Sequence, residues 1–270
     1  MTPSPPFMLA DGAVGRLLQN RIGPKKMPVE ALNLSRPEAV KQAHLDYLAA
    51  GCTLHRTNTL CANRPSLAPY FLEDRTEAMN TSAVALIHQA AGPEATVMAS
   101  IGQITPPGGA VPLAELEKGY SEQMIYLSDA MADFFLFTHF TLLSEALLAL
   151  RLAKSASDAP VLAQMTFDAQ GFTADGVGCR EAAVQLAGEG ADGLGISCRP
   201  GGKNLMPILD QLSAPGLPLG VMLSGEGLTP DAFADLVTPL AGRVAILGGC
   251  CGATPDHLAR VAQKERHQPA

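Results

Sequence analysis

Eight short apolar runs, separated by stretches of helical periodicity, recur from one end of this 270-residue chain to the other. The runs fall at 7–10, 53–57, 96–101, 134–138, 161–166, 193–197, 217–223 and 244–247. Helical patterns lie between them, among others at 37–50, 75–91, 121–132, 143–155, 179–188 and 230–240. Ser35-Arg36-Pro37, Leu228-Thr229-Pro230 and Ala253-Thr254-Pro255 each put a hydroxyl residue just ahead of a proline, a helix-start signal. Strands that alternate with helices imply a parallel sheet of the α/β class. Eight is also the count that closes into a (β/α)8 TIM barrel, which takes about 250 residues as one domain. The expected architecture is a single barrel domain over 1–270 with its core at about 7–260. A doubly wound open sheet is the alternative.

A barrel of this kind carries its chemistry at the C-terminal ends of the strands. The polar residues just past the runs are Asp11, Asn58, Gln103, His139, Asp168, Cys198, Ser224 and the pair Cys250-Cys251. The Pro- and Gly-rich loop at 103–117 is expected to fold over that rim. The cysteines stand out within Gly195-Ile196-Ser197-Cys198 and Gly248-Gly249-Cys250-Cys251-Gly252. Adjacent strand residues normally face opposite sides, but glycine on both sides of the pair would let the backbone bend until two sulfurs face one point. Three convergent thiolates with room for a fourth ligand describe a catalytic zinc site. Two other readings stay open here. A lone cysteine is often a small buried hydrophobe, and a vicinal pair can serve as a redox dithiol, although its disulfide is strained. Glycines are costly inside a strand, so this context asks for a reason beyond packing. Cys52, Cys61 and Cys179 lack partners at metal spacing and read as packing residues. His55, inside the second run, reads as structural.

Composition excludes several classes. The net charge is −7 and no Lys/Arg block occurs, which argues against a nucleic-acid partner. The most apolar stretch, 134–153, is interrupted by His139, Glu145 and Arg151, so it reads as a strand running into a helix and not a membrane span. The first residues show no basic segment followed by an apolar core, so no signal peptide is expected. Six cysteines without an export signal point to reduced thiols in a cytoplasm.

Four motifs in order resemble the zinc-dependent homocysteine S-methyltransferase family over about residues 7–260. They are Leu9-Ala10-Asp11-Gly12-Ala13-Val14-Gly15, Thr57-Asn58-Thr59, Gly195-Ile196-Ser197-Cys198 and Gly248-Gly249-Cys250-Cys251-Gly252-Ala253-Thr254-Pro255. The resemblance implies a (β/α)8 barrel in which Cys198, Cys250 and Cys251 hold Zn²⁺ and are thereby the catalytic set. Three thiolates leave such a site at a net charge of −1, so a thiol bound as fourth ligand loses its proton yet stays nucleophilic. The acceptor implied is homocysteine, which places the chain in one-carbon metabolism and methionine biosynthesis. The donor would be a small sulfonium or betaine, or a methylated corrinoid protein supplied as a separate partner. The chain has no Asp-x-His-x-x-Gly motif of the kind that carries cobalamin.

The sequence departs from the family where an amino acid should bind. Thr138-His139 stands where the family usually has Glu-Thr, so a carboxylate is missing. Leu223-Ser224-Gly225-Glu226-Gly227 replaces the usual Pro-Asn-Ala-Gly, and Ser197 replaces the usual Asn. The substrate-binding candidates are Asp11, Asn58, Thr138, His139, Ser224 and Glu226, with His139 alternatively a fourth zinc ligand in the resting state. Either Glu226 or Asp11 supplies the lost negative charge, or the acceptor is a thiol other than homocysteine. A metal-free dithiol oxidoreductase and a non-catalytic subunit that docks a corrinoid protein are the remaining alternatives.

Overall fold

A computed structural model describes residues 7–23, 27–199 and 205–266, with the side chains of Cys198 and Arg199 outside the described set. Eight strands form in the predicted places: β1 (Met8–Leu9), β2 (Leu54–Arg56), β3 (Thr96–Gly102), β4 (Phe134–Phe140), β5 (Val161–Met165), β6 (Gly193–Arg199), β7 (Leu219–Leu223) and β8 (Ile246–Gly249). Each is paired in parallel, in the order β1-β8-β7-β6-β5-β4-β3-β2. An isolated parallel bridge between Ala10 and Leu54 joins the two ends of that order. The sheet is therefore a closed (β/α)8 barrel in a single domain, not a doubly wound open sheet.

The helices are α1 (Val14–Ile22), α2 (Leu32–Ser35), α3 (Pro37–Ala49), α4 (Arg64–Leu67), α5 (Thr76–Ala91), α6 (Leu113–Asp129), α7 (Leu143–Ala156), α8 (Cys179–Gly188), α9 (Leu205–Leu212), α10 (Pro230–Val237) and α11 (Pro255–Arg266). Alternation along each strand sends one set of side chains inward and the other outward. Inside the barrel, Leu54, Met98, Leu136, Leu162, Met222 and Ile246 form one buried cluster with Ala10 and Cys250. A second, larger cluster fills the layer between strands and helices. The barrel interior is thus a packed floor, and the chemistry is confined to the rim above it.

Two local expectations change. Helix α6 starts at Leu113, eight residues before the predicted 121, so the loop after β3 is short. Of the three helix starts, Thr229 caps α10 through its hydroxyl, accepting from the N–H of Ala232. Ser35 does not cap α3. Its hydroxyl donates to the Ala31 carbonyl, closing α2 instead. Among the described residues no helix is long and apolar enough to cross a membrane.

Candidate active site

At the C-terminal end of β8 the chain makes a tight turn in which Ala253 N–H donates to the Cys250 carbonyl at 2.9 Å. Gly252 has φ +74°, the left-handed conformation that a side chain would resist. The turn, not a bend on both sides of the pair, is what lets Cys250 and Cys251 face the same cavity. Gly248 and Gly249 serve a different need from the one expected. A Cβ on Gly249 would stand 2.3 Å from Cβ of Ala253 and 3.1 Å from Cα of Gly12, so the glycine lets β8 and β1 approach.

On β4 the register shifts between Phe137 and Phe140. His139, in that bulge, has φ +63°, uncommon for a residue with a side chain and frequent near functional sites. Its backbone N–H donates to Ser197 Oγ at 2.9 Å. The bulge turns the imidazole toward β8, with Nε2 3.2 Å from Cys250 Sγ. Thr138 Oγ1 lies 3.3 Å from Nδ1 and orients the ring from behind. The ligand atoms of His139, Cys250 and Cys251 all lie within 4.8 Å of one another. The backbone of Cys198 reaches the same level. It sits at a second register shift, between Ser197 and Arg199, and Arg199, Leu223 and Gly249 are level across β6, β7 and β8. The Cys198 side chain lies outside the described residues.

These groups border a cavity of about 220 Å³ whose lining includes Gly12, Arg56, Asn58, Thr138, His139, Cys250 and Cys251. Of the substrate-binding candidates, Asn58, Thr138 and His139 face it, and three do not. Asp11 is wholly buried, and both its carboxylate oxygens are taken by Arg56: Oδ1 by Nε and Oδ2 by the backbone N–H, each at 2.8 Å. Ser224 donates to the Cys251 carbonyl at 3.0 Å and accepts from Glu226 N–H, so it braces the cysteine turn. Glu226 is exposed and absent from the lining. No residue of 103–112 lines the cavity either. Gln103 instead accepts the N–H groups of Thr141 and Leu142 with its side-chain oxygen, tying that loop to α7.

Arg56 is the residue that sequence reasoning missed. It sits on β2, and its Nη2 donates to the carbonyls of Asp11 (3.1 Å), Gly12 and Gly249 (2.7 Å). Burial opposes its charge, but Asp11 and then Cys250 outweigh that, and its pKa is held above the ordinary guanidinium value. An arginine inside a short apolar run was the available signal. Behind this pair, Asp11, His44 and His55 form a second close group of possible ligand atoms. There the carboxylate is already committed to a cation, which disfavours a second one beside it.

A (β/α)8 barrel with two cysteines and a histidine converging on a rim cavity belongs to the class of enzymes built to handle sulfur or a soft metal. Residues 8–264 match the homocysteine S-methyltransferase family, and the chain belongs to it. It is 27% identical over 262 residues to the S-methylmethionine–homocysteine S-methyltransferase BHMT2 of Pongo abelii, covering 86% of this chain and 70% of that one. It is 28% identical over 291 residues to the methionine synthase of Mycobacterium tuberculosis, covering 94% of this chain. It spans only 24% of that relative's length. Among solved structures, the metallated form of the homocysteine methyltransferase MmuM from Escherichia coli superposes with a TM-score of 0.81 at 22% identity, over 96% of each chain. That likeness is one of fold.

Proposed function

We propose that this chain is a zinc-dependent thiol S-methyltransferase, acting at the centre formed by Cys198, Cys250 and Cys251. The observation that carries the reading is the convergence of His139, Cys250 and Cys251 on one cavity at the barrel rim. Two thiol sulfurs and an imidazole nitrogen, all within 4.8 Å of one another, are donor types that Zn²⁺ takes, at a spacing that one ion can bridge. The residues present therefore fit the metal, with Cys198 as the third cysteine and His139 as the group a substrate sulfur would replace. The bound ion would supply the acidity that turns an incoming thiol into a nucleophile at neutral pH.

The remaining tasks fall to the protein. The turn braced by Ser224 holds both cysteines toward the cavity, and Thr138 keeps the imidazole directed at Cys250. The small cavity, lined by residues of β2, β3 and β4 and by the segments that follow β1 and β8, would hold the thiol close to the sulfur centre, which is the positional advantage an in-line displacement needs. The donor methyl would enter from the open side of the rim, carried by a small sulfonium or betaine or by a separate corrinoid protein.

Metal analysis of the purified protein is expected to give one zinc per chain. Cys250→Ala should lose both the zinc and methyl transfer to any thiol while keeping the circular dichroism of a folded barrel. Full zinc content in that variant would remove the assignment. A wild-type protein without metal that reversibly oxidises Cys250 and Cys251 would favour the dithiol alternative instead.

A further inference from the structure

The cavity beside the cysteines has an unusual balance of charge. Among its described lining residues the only carboxylate is Glu30, which accepts the N–H of Cys61 at 2.9 Å and is 4% exposed. Asp11 is spent on Arg56, and Glu226 is exposed and does not line the cavity. Asn58, Thr57 and Thr138 are neutral. The one lining carboxylate, Glu30, already accepts the Cys61 N–H through Oε1, and burial raises its pKa above the ordinary carboxylate value, so it is a poor partner for a substrate ammonium beside the sulfur centre.

The opposite holds for an anion. Arg56 uses Nε and Nη2 for every hydrogen bond its side chain makes within the protein, and Nη1 makes none. Nη1 is not among the buried polar atoms left without a partner, and Arg56 is one of the residues lining the cavity. Its remaining donors are thus held on a guanidinium that is fixed by four acceptors and needs no rearrangement to bind. Fixed arginine donors favour carboxylates and comparable oxyanions because the fork geometry is already in place.

Resting on the reading of this cavity as a thiol site, we infer that its acceptor is a short thiol bearing an anionic group and no ammonium, with Arg56 as the residue that selects it. Homocysteine would then be a poor ligand, since its carboxylate can meet Arg56 only by bringing its ammonium into a cavity whose one lining carboxylate, Glu30, is buried and already bonded to Cys61.

The test measures thiol binding by calorimetry to the purified, metal-containing chain with no methyl donor present. The probes are 3-mercaptopropionate, 3-mercaptopropan-1-ol, 3-aminopropane-1-thiol and homocysteine. The carboxylate is expected to bind at least tenfold more tightly than the alcohol, and the amine and homocysteine no better than the alcohol. Homocysteine or the amine binding as tightly as 3-mercaptopropionate would overturn the inference and leave the thiol site standing. If none of the four binds, the thiol site fails and the inference with it. In Arg56→Gln the ratio of carboxylate to alcohol should collapse to within about threefold, and Arg56→Lys should retain part of it. A ratio unchanged in a folded Arg56→Gln would show that another residue selects the anion. If that variant does not fold, the wild-type series alone still decides the substrate class.

Discussion

At the scale of single residues, His44 carries a cost that pH should reveal. It is fully buried on α3, and neither ring nitrogen has a hydrogen-bond partner. Burial first, and the nearby His55 second, push its pKa down to about 3. In the unfolded chain it would protonate near its ordinary value of about 6.5. The folded state therefore holds fewer protons below that value, and its contribution is intact above about pH 6.5 and lost as pH falls toward 3. From pH 7.5 to 5 this amounts to about 2 kcal/mol for His44, at about 1.4 kcal/mol per pH unit below 6.5. His44→Leu should lose about 2 kcal/mol less than wild type over the same interval in urea unfolding. An identical loss in both proteins would mean that His44 is protonated or hydrated in the fold. The residue scale is also where the sequence was hardest to read. Cys250 and Cys251 announce themselves by their glycine setting, whereas the Asp11–Arg56 pair joins a residue just past β1 to one on β2, and no local pattern links them.

Among the elements, strand positions were legible because each buried strand is a compact apolar run, and all eight fall within a few residues of expectation. Helix α6 extends back past Gly119, a residue that normally weakens a helix. The structure gives its reason: a Cβ there would sit 2.9 Å from Cδ of Pro65 and 3.0 Å from Cδ1 of Ile104. The bulges at His139 and Cys198 were not readable, since a register shift depends on the partner strand and not on the residues themselves. Close approach of β8 to β1 leads to a further expectation. Gly249→Ala must push β8 away from Ala253 and Gly12, an overpacking change of about 1–3 kcal/mol. Because Cys250 is the next residue, that variant should also bind zinc more weakly in a chelator competition. Unchanged zinc affinity together with lost stability would show that the turn holds the cysteines independently of the strand.

For the whole molecule, the joint between β1 and β2 is the weakest part of the ring. It is closed by one bridge and by two backbone hydrogen bonds, Asp11 N–H to Leu54 (3.0 Å) and Thr53 N–H to Leu9 (2.8 Å). The Asp11–Arg56 ion pair spans this joint, and the Gly249 carbonyl anchors it to β8. Removing one partner of a buried pair costs about 3–5 kcal/mol. Asp11→Ala should show that loss in urea unfolding, with the largest gain in amide exchange confined to peptides covering 7–12 and 53–57. Exchange raised evenly around the barrel would mean that the pair stabilises the fold without acting as a clasp. The same clasp has a consequence for how the molecule is made. Asp11 and Arg56 leave the ribosome well before the carbonyl of Gly249 and the two neighbouring cysteines, which arrive only with β8. Until then β1 has no strand to pair with except through its single bridge to β2. The vicinal pair of sulfur donors and the Gly249 anchor of the guanidinium therefore join Cys198 and His139 only when β8 closes the ring, and a chain truncated before β8 would lack two of the three cysteines proposed to hold the metal.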